Sequence, residues 1–206
     1  FDANKYLRFF DRPFLNEAAR TFLFDQRKLD PRVVSWCRLN SFTDKQGTSW
    51  LQIPYYDIDG HLIGVQNRNL SYQSSSINNQ SSSAPRFKFP YGHTCHIYNL
   101  PVLKLLKKGE PLFITEGASD CWAMLSSGHK AVAIPSATLL KPQDLQILST
   151  LNSQLSTVLH MYPDQDEPGE RLFLDLRRLL GSPSSIVRHQ LPPDYKDYSD
   201  YYLSKH

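Results

Sequence analysis

Apolar positions in the first hundred residues follow two rhythms. Ala18, Phe22 and Leu29 stand near helical spacing among good helix formers, which predicts a helix over 15–28. Asp30 followed by Pro31 has the form of an N-cap with proline at the first helical position, and predicts a short helix through Cys37. Residues 50–56 and 61–68 are rich in β-formers and flank Asp57-Ile58-Asp59-Gly60, the pattern of a hairpin closed by a turn. Arg86-Phe87-Lys88-Phe89 and His96-Ile97-Tyr98-Asn99 predict short strands, and residues 101–106 a short helix.

From Pro111 the rhythm changes. Apolar runs at 112–116, 131–136, 157–162 and 184–191 predict strands, with helices predicted near 120–127, 142–151 and 168–180. Strands that alternate with helices imply a parallel sheet wrapped by helices. The fold class expected is an α+β amino-terminal subdomain, residues 1–108, followed by an α/β domain with a parallel central sheet flanked by helices, residues 109–206. The boundary falls in the Lys107-Lys108-Gly109 turn. Residues 70–85 are almost wholly polar and low in complexity; they cannot bury surface and are expected to form a mobile loop. No internal repeat is visible.

Composition narrows the picture further. The 206 residues suffice for one or two domains with real cores, so no covalent staple is needed. The net charge of +3 excludes a chain that binds phosphate by bulk charge alone. Cys37, Cys95 and Cys121 are far apart, which excludes a disulfide framework and a self-contained cysteine zinc site and argues for a reducing, cytoplasmic setting. No apolar run approaches the roughly 20 residues of a membrane span, and no membrane partner is expected. The opening residue, Phe1, reads as a piece of a longer protein.

Candidate chemistry collects where the predicted parallel strands end, the place where open α/β sheets gather functional groups. Glu116-Gly117 closes the first of these strands and Asp120 follows, with Gly117 permitting a tight turn. Asp164-Gln165-Asp166 closes the third, and in an extended backbone Asp164 and Asp166 point to one side. Lys196-Asp197 follows the fourth. Clustered carboxylates repel unless a cation lies among them, and hard oxygen ligands suit Mg²⁺ or Mn²⁺, the usual ions of phosphoryl and nucleotidyl transfer. An isolated Asp-x-Asp is usually a solvated loop; together, at successive strand ends of one sheet, these acids become far more specific.

The arrangement resembles the Toprim domain, which carries Glu-Gly-x-x-Asp after one strand and Asp-x-Asp-x-x-Gly after a later one. The matching residues are Glu116-Gly117-Ala118-Ser119-Asp120 and Asp164-Gln165-Asp166-Glu167-Pro168-Gly169, within 111–203. The flanks resemble bacterial-type primases and their phage relatives. Leu191-Pro192-Pro193-Asp194-Tyr195-Lys196-Asp197 is similar to their LP-x-G-K-D segment. Upstream, Ala19 to Leu29, Ile53 to Arg68, Pro85-Arg86-Phe87-Lys88 and Ile97-Tyr98-Asn99 resemble, in order, motifs of the primase amino-terminal catalytic subdomain.

The resemblance implies a primase core that joins ribonucleotides on a single-stranded DNA template. It implies that Glu116, Asp164 and Asp166 hold two or more Mg²⁺ or Mn²⁺ ions, with Asp120 and Asp197 supporting or completing the site. It implies that Arg27, Arg68, Arg86, Lys88 and Lys196 contact template or nucleoside triphosphate phosphates, work that the planar fork of arginine suits. A replicative helicase would be reached through segments outside this chain.

The sequence also departs from the pattern. Lys28 replaces a glycine, Arg86 a lysine, and His93 stands about where another basic residue is expected. Ser136-Ala137-Thr138 lacks the glycine of an S-x-G-T turn, and no cysteine zinc module is present. These differences bear on template selection and initiation more than on metal chemistry. Two other functions keep parts of the pattern: a Toprim nuclease or topoisomerase-like cleavage, and a non-catalytic nucleic-acid-binding module.

Other conspicuous residues have plainer readings. Phe87 and Phe89 are expected in core packing rather than base stacking. His129, His160 and His189 lack metal-ligand spacing, and Cys121-Trp122 reads as core helix. Tyr195, Tyr198, Tyr201 and Tyr202 are expected to pack on the sheet as an aromatic tail.

Overall fold

The computed structural model describes residues 1–72, 85–134, 138, 140–181 and 186–206. Most of the low-complexity stretch, and Ser136-Ala137, lie outside these. The described residues form two units: Phe1–Tyr55 with His61–Thr94, and Tyr56–Gly60 with Cys95–His206.

In the first unit, side-chain caps start the helices. After α1 (Leu7–Asp11), Asn16 accepts from the amide of Ala19 at 2.9 Å and opens α2 (Glu17–Arg20). Asp30 accepts from Arg32 at 2.8 Å and opens α3 (Pro31–Trp36), with proline at its first turn as expected. Between them the backbone widens into a π-helical turn, Thr21–Gln26, which periodicity alone does not distinguish from α-helix.

The sheet runs β1 (Asn40–Thr43), β2 (Ser49–Tyr56), β3 (Leu62–Asn69), β4 (Phe87–Lys88), with β1–β2 and β3–β4 antiparallel. Gly60 takes φ +89° in the turn after β2, a conformation that glycine adopts without strain. Ala19, Leu23, Leu39, Trp50, Leu51 and Val65 are all but fully buried and form the core.

The second unit has the expected parallel sheet, in the order β6-β5-β7-β8: β5 (Leu112–Thr115), β6 (Ala131–Ala133), β7 (Leu159–Met161) and β8 (Ile186–Arg188). Helices α4 (Ala118–Ser126), α5 (Pro142–Leu155), α6 (Glu167–Leu179) and α7 (Tyr198–Leu203) surround it. Strand alternation places Leu112, Ile114, Leu159, Met161 and Ile186 in one core with Leu148 and Leu151 of α5 and Leu172 and Leu176 of α6. Cys121 and Trp122 are fully buried, and the Trp122 indole donates to the Tyr98 hydroxyl at 2.8 Å.

Several local expectations change. Residues 96–99 form no strand; Tyr98 makes a single bridge to Ala133. The helix expected over 101–106 is a 3₁₀ helix, Leu100–Leu105. Of the aromatic tail, Tyr198, Tyr201 and Tyr202 lie on α7, which Asp197 caps, and Tyr195 precedes it; Tyr198 and Tyr202 are buried, Tyr195 and Tyr201 half-buried. Phe89 is 51% exposed and stacks on His93 instead of joining the core. No described helix is long and apolar enough to cross a membrane.

Candidate active site

The carboxyl ends of β5 and β7 carry the acids. Glu116 follows β5 directly, and its Oε1 accepts the main-chain amide of Asp164 at 3.1 Å. Gly117 has φ −127°, so a left-handed turn is not why glycine stands there; a Cβ would lie 3.4 Å from Asp120 Oδ2, a tight approach. Asp120, buried in α4, accepts from the Ser199 amide at 3.0 Å and thereby ties α4 to α7.

Asp164 is half-buried, while Asp166 turns to a second task. Its Oδ1 caps α6 through the Gly169 amide at 3.0 Å, and its Oδ2 lies 3.4 Å from the Lys196 ammonium. Asp197 likewise caps α7 through the Asp200 amide at 2.8 Å. Gly169 brings the first turn of α6 directly onto the acidic pair. A Cβ there would lie 2.5 Å from the Asp164 carbonyl oxygen, 2.6 Å from Glu116 Oε1 and 2.8 Å from the Asp164 nitrogen.

Electrostatics single out Asp164. Burial pushes its carboxyl up to about 8, and the negative charges of Glu116, Asp120, Asp197 and Asp166 push it the same way, in falling order. Burial also raises Glu116, against the Asp164 amide bond that lowers it. Asp166 raises Lys196 through a hydrogen bond and its charge.

The donor set fits a hard divalent cation: oxygen ligands only, mutually repelling, with one carboxyl driven to hold a proton where a cation would relieve it. Among the described residues, no three of Glu116, Asp120, Asp164, Asp166 and Asp197 bring oxygens within 4.8 Å of one another, so closing on an ion takes side-chain movement. Beside the Asp164–Asp166 loop lies a cleft of about 440 Å³, walled also by Arg188, His189 and Gln190. Arg188 is paired with Glu170 at 2.8 Å.

The first unit gathers most of the expected basic residues. The π-helical turn ends with the Arg27 amide bonded to the Phe22 carbonyl at 3.0 Å, and the Arg27 guanidinium stands 5.4 Å from the Phe22 ring. Arg68, opposite Phe87 in the β3–β4 register, stands 4.8 Å from Phe22 and 5.7 Å from Phe87. Arg86 stands 5.2 Å from Phe87. Three guanidinium groups therefore surround two aromatic rings, each contact worth about 0.5–1 kcal/mol at an exposed site. Lys88 alternates away and sits 4.2 Å over the Trp50 ring.

Two residues of the acidic site make close contacts that sequence reasoning missed. Gly169 belongs to the motif, but only the fold shows that its missing side chain admits Glu116. Gln165 has no sequence signal at all; its amide contacts appear only when the 192–196 segment folds beside it.

Residues 113–202 match the Toprim-like family. No curated protein matches the chain in sequence. The fold is similar to the RNA polymerase domain of the Mycobacterium tuberculosis primase DnaG, with TM-score 0.69 and 16% identity over 98% of this chain and 77% of that one. It is similar to the primase fragment of the bacteriophage T7 primase-helicase protein, with TM-score 0.63 and 16% identity over 88% of this chain and 69% of that one. A DnaG primase catalytic domain bound to single-stranded DNA gives TM-score 0.65 and 17% identity over 99% and 74%. Residues 113–202, within the second unit, thus match the Toprim-like family, and the chain's fold is similar to that of primase catalytic cores.

Proposed function

We propose that this chain is the catalytic core of a DNA primase that makes short RNA primers on single-stranded DNA by metal-dependent nucleotidyl transfer. The observation that carries the reading is the Glu116–Asp164 pair, held by one hydrogen bond, with the Asp164 carboxyl pushed up to about 8 among further acids.

Glu116, Asp164 and Asp166 would hold Mg²⁺ or Mn²⁺ ions, with Asp120 and Asp197 fixing the helices beside them. Bound there, such ions supply charge for activating a 3′-hydroxyl and for stabilising a pyrophosphate leaving group. The 440 Å³ cleft beside the Asp164–Asp166 loop lies within the size range of small-molecule sites. Lys196, whose ammonium lies 3.4 Å from Asp166, would meet phosphate oxygens of the nucleotide. Arg27, Arg68, Arg86 and Lys88 would contact the phosphates of template or nucleotide, and the rings of Phe22 and Phe87 hold the first three of these side chains in place. We place this work in the cytoplasm, with a replicative helicase as a partner.

The test is incorporation of labelled nucleoside triphosphates on single-stranded DNA with Mg²⁺ or Mn²⁺, with and without an annealed primer, beside Asp166→Asn. Short new oligomers from the wild type alone are expected. A shortened template without synthesis would replace this reading with a nuclease, and neither product, even from a primer, would overturn catalysis altogether.

A further inference from the structure

We infer that Gln165, the middle residue of Asp164-Gln165-Asp166, is a positioning residue that ties the 192–196 segment to the acidic loop and so sets where Lys196 and Asp197 stand. Its side-chain amide nitrogen lies 2.8 Å from the Pro192 carbonyl oxygen and 2.6 Å from that of Tyr195. Its main-chain amide donates to the Lys196 carbonyl at 2.7 Å. Both side-chain partners are acceptors, so the NH₂ group must face them, and its two hydrogens match two carbonyls.

The segment needs such a clamp. It links β8, which ends at Arg188, to α7, which begins at Tyr198, without joining the sheet. Pro192 and Pro193 have no amide hydrogen to offer. A turn from the Tyr195 amide to the Pro192 carbonyl, 3.2 Å, gives the segment its local shape. Gln165 grips both ends of that turn. The residues that follow are Lys196, 3.4 Å from Asp166, and Asp197, the cap of α7.

A lysine side chain is long and its rotamer freedom resists confinement. Fixing its backbone beside the carboxylate loop removes the separate cost of ordering the segment, so that only the side chain is left to order when a ligand arrives. The chemistry at residue 165 is specific. Asparagine is one methylene shorter, glutamate has no donor and would face two carbonyl oxygens, and methionine has the length without the hydrogen bonds.

The consequence for ligand binding rests on the function proposed above; the clamp itself does not. Gln165 is exposed, so Gln165→Met leaves the core untouched. Amide hydrogen exchange by NMR on the unliganded chain reads the clamp directly, at the amides of residue 165 and Tyr195. Roughly tenfold faster exchange at both in Gln165→Met is expected, with α5 unchanged. Unchanged exchange at residue 165 and Tyr195 overturns the clamp.

A fluorescent nucleoside triphosphate with Mg²⁺ reads the consequence. Gln165→Met should weaken its binding roughly three- to tenfold, and should add less than twofold on top of Lys196→Met. An equal loss in both backgrounds overturns positioning through Lys196. A wild type that binds no triphosphate sinks the nucleotide reading of the site, while the exchange result decides the clamp by itself.

Discussion

The amide of Asp164 donates to Oε1 of Glu116 at 3.1 Å, which ties the loop after β7 to the end of β5. The bond gives Glu116 a partner but leaves the Asp164 carboxyl among like charges. The ordinary aspartate value is near 3.8, and burial with the neighbouring negative charges pushes this carboxyl up to about 8. Between those values the unfolded chain releases a proton that the folded chain keeps. Stability without metal therefore falls as pH rises from about 4 to 8, and the full penalty stands above 8. Asp164→Asn removes it. Solvent screening of this half-buried carboxyl leaves only part of that penalty, so the expected result is a metal-free Tm at least about 3–6 °C above wild type at pH 8, with little difference at pH 4. Thermal scans at the two pH values check this, and equal differences would contradict it. Millimolar Mg²⁺ should narrow the gap at pH 8 by stabilising only the wild type.

Gly169→Ala is expected to damage the site more than its size suggests. The added carbon would meet the Asp164 backbone at 2.5 Å and Glu116 Oε1 at 2.6 Å, and backbone cannot swing aside. Loss of metal binding together with a Tm drop of several degrees is expected. Wild-type Tm and wild-type metal affinity in the variant would show that α6 has room to shift.

Much of this was legible beforehand, for physical reasons. Strands buried on both faces read as continuous apolar runs, and loops at their ends can afford acids; both signals are local, so the Glu116 and Asp164 positions followed from the pattern. The Asp30-Pro31 helix start was legible for the same reason. The π-helical turn at Thr21–Gln26 was not, because one extra residue per turn barely shifts an apolar pattern over six residues. Nor could spacing show that Lys88 leaves Arg68 for Trp50, or that Asp166 and Asp197 each cap a helix, since those depend on which partner the fold supplies.

Lys28 illustrates a departure with an energetic meaning. It stands where the resembling motif has glycine, and its φ is +52°, the left-handed region that disfavours a side chain. Lys28→Gly relieves that strain but adds freedom to the unfolded chain, for a net stabilisation of about 0.5–1 kcal/mol. Urea denaturation checks it; a destabilised variant would mean that the lysine makes contacts worth more than the strain.

Arg68 sits between the Phe22 and Phe87 rings. If it meets a phosphate, Arg68→Ala should weaken single-stranded DNA binding several-fold. It should also flatten the log–log salt dependence by about 0.7, the share of one phosphate contact on a single strand. Fluorescence anisotropy across a salt series reads both. A weaker complex with an unchanged slope would assign Arg68 to holding the rings rather than to the nucleic acid.

Glu116, Asp164 and Asp166 are proposed to hold a divalent cation together. Mn²⁺ titration followed by electron paramagnetic resonance tests it most directly, on wild type beside Asp164→Asn and Asp166→Asn. Saturable binding by the wild type is expected, weakened at least tenfold in each variant, with about one proton released near pH 7 as Asp164 gives up its own. Binding that is absent in the wild type, or equally tight in all three, would contradict it.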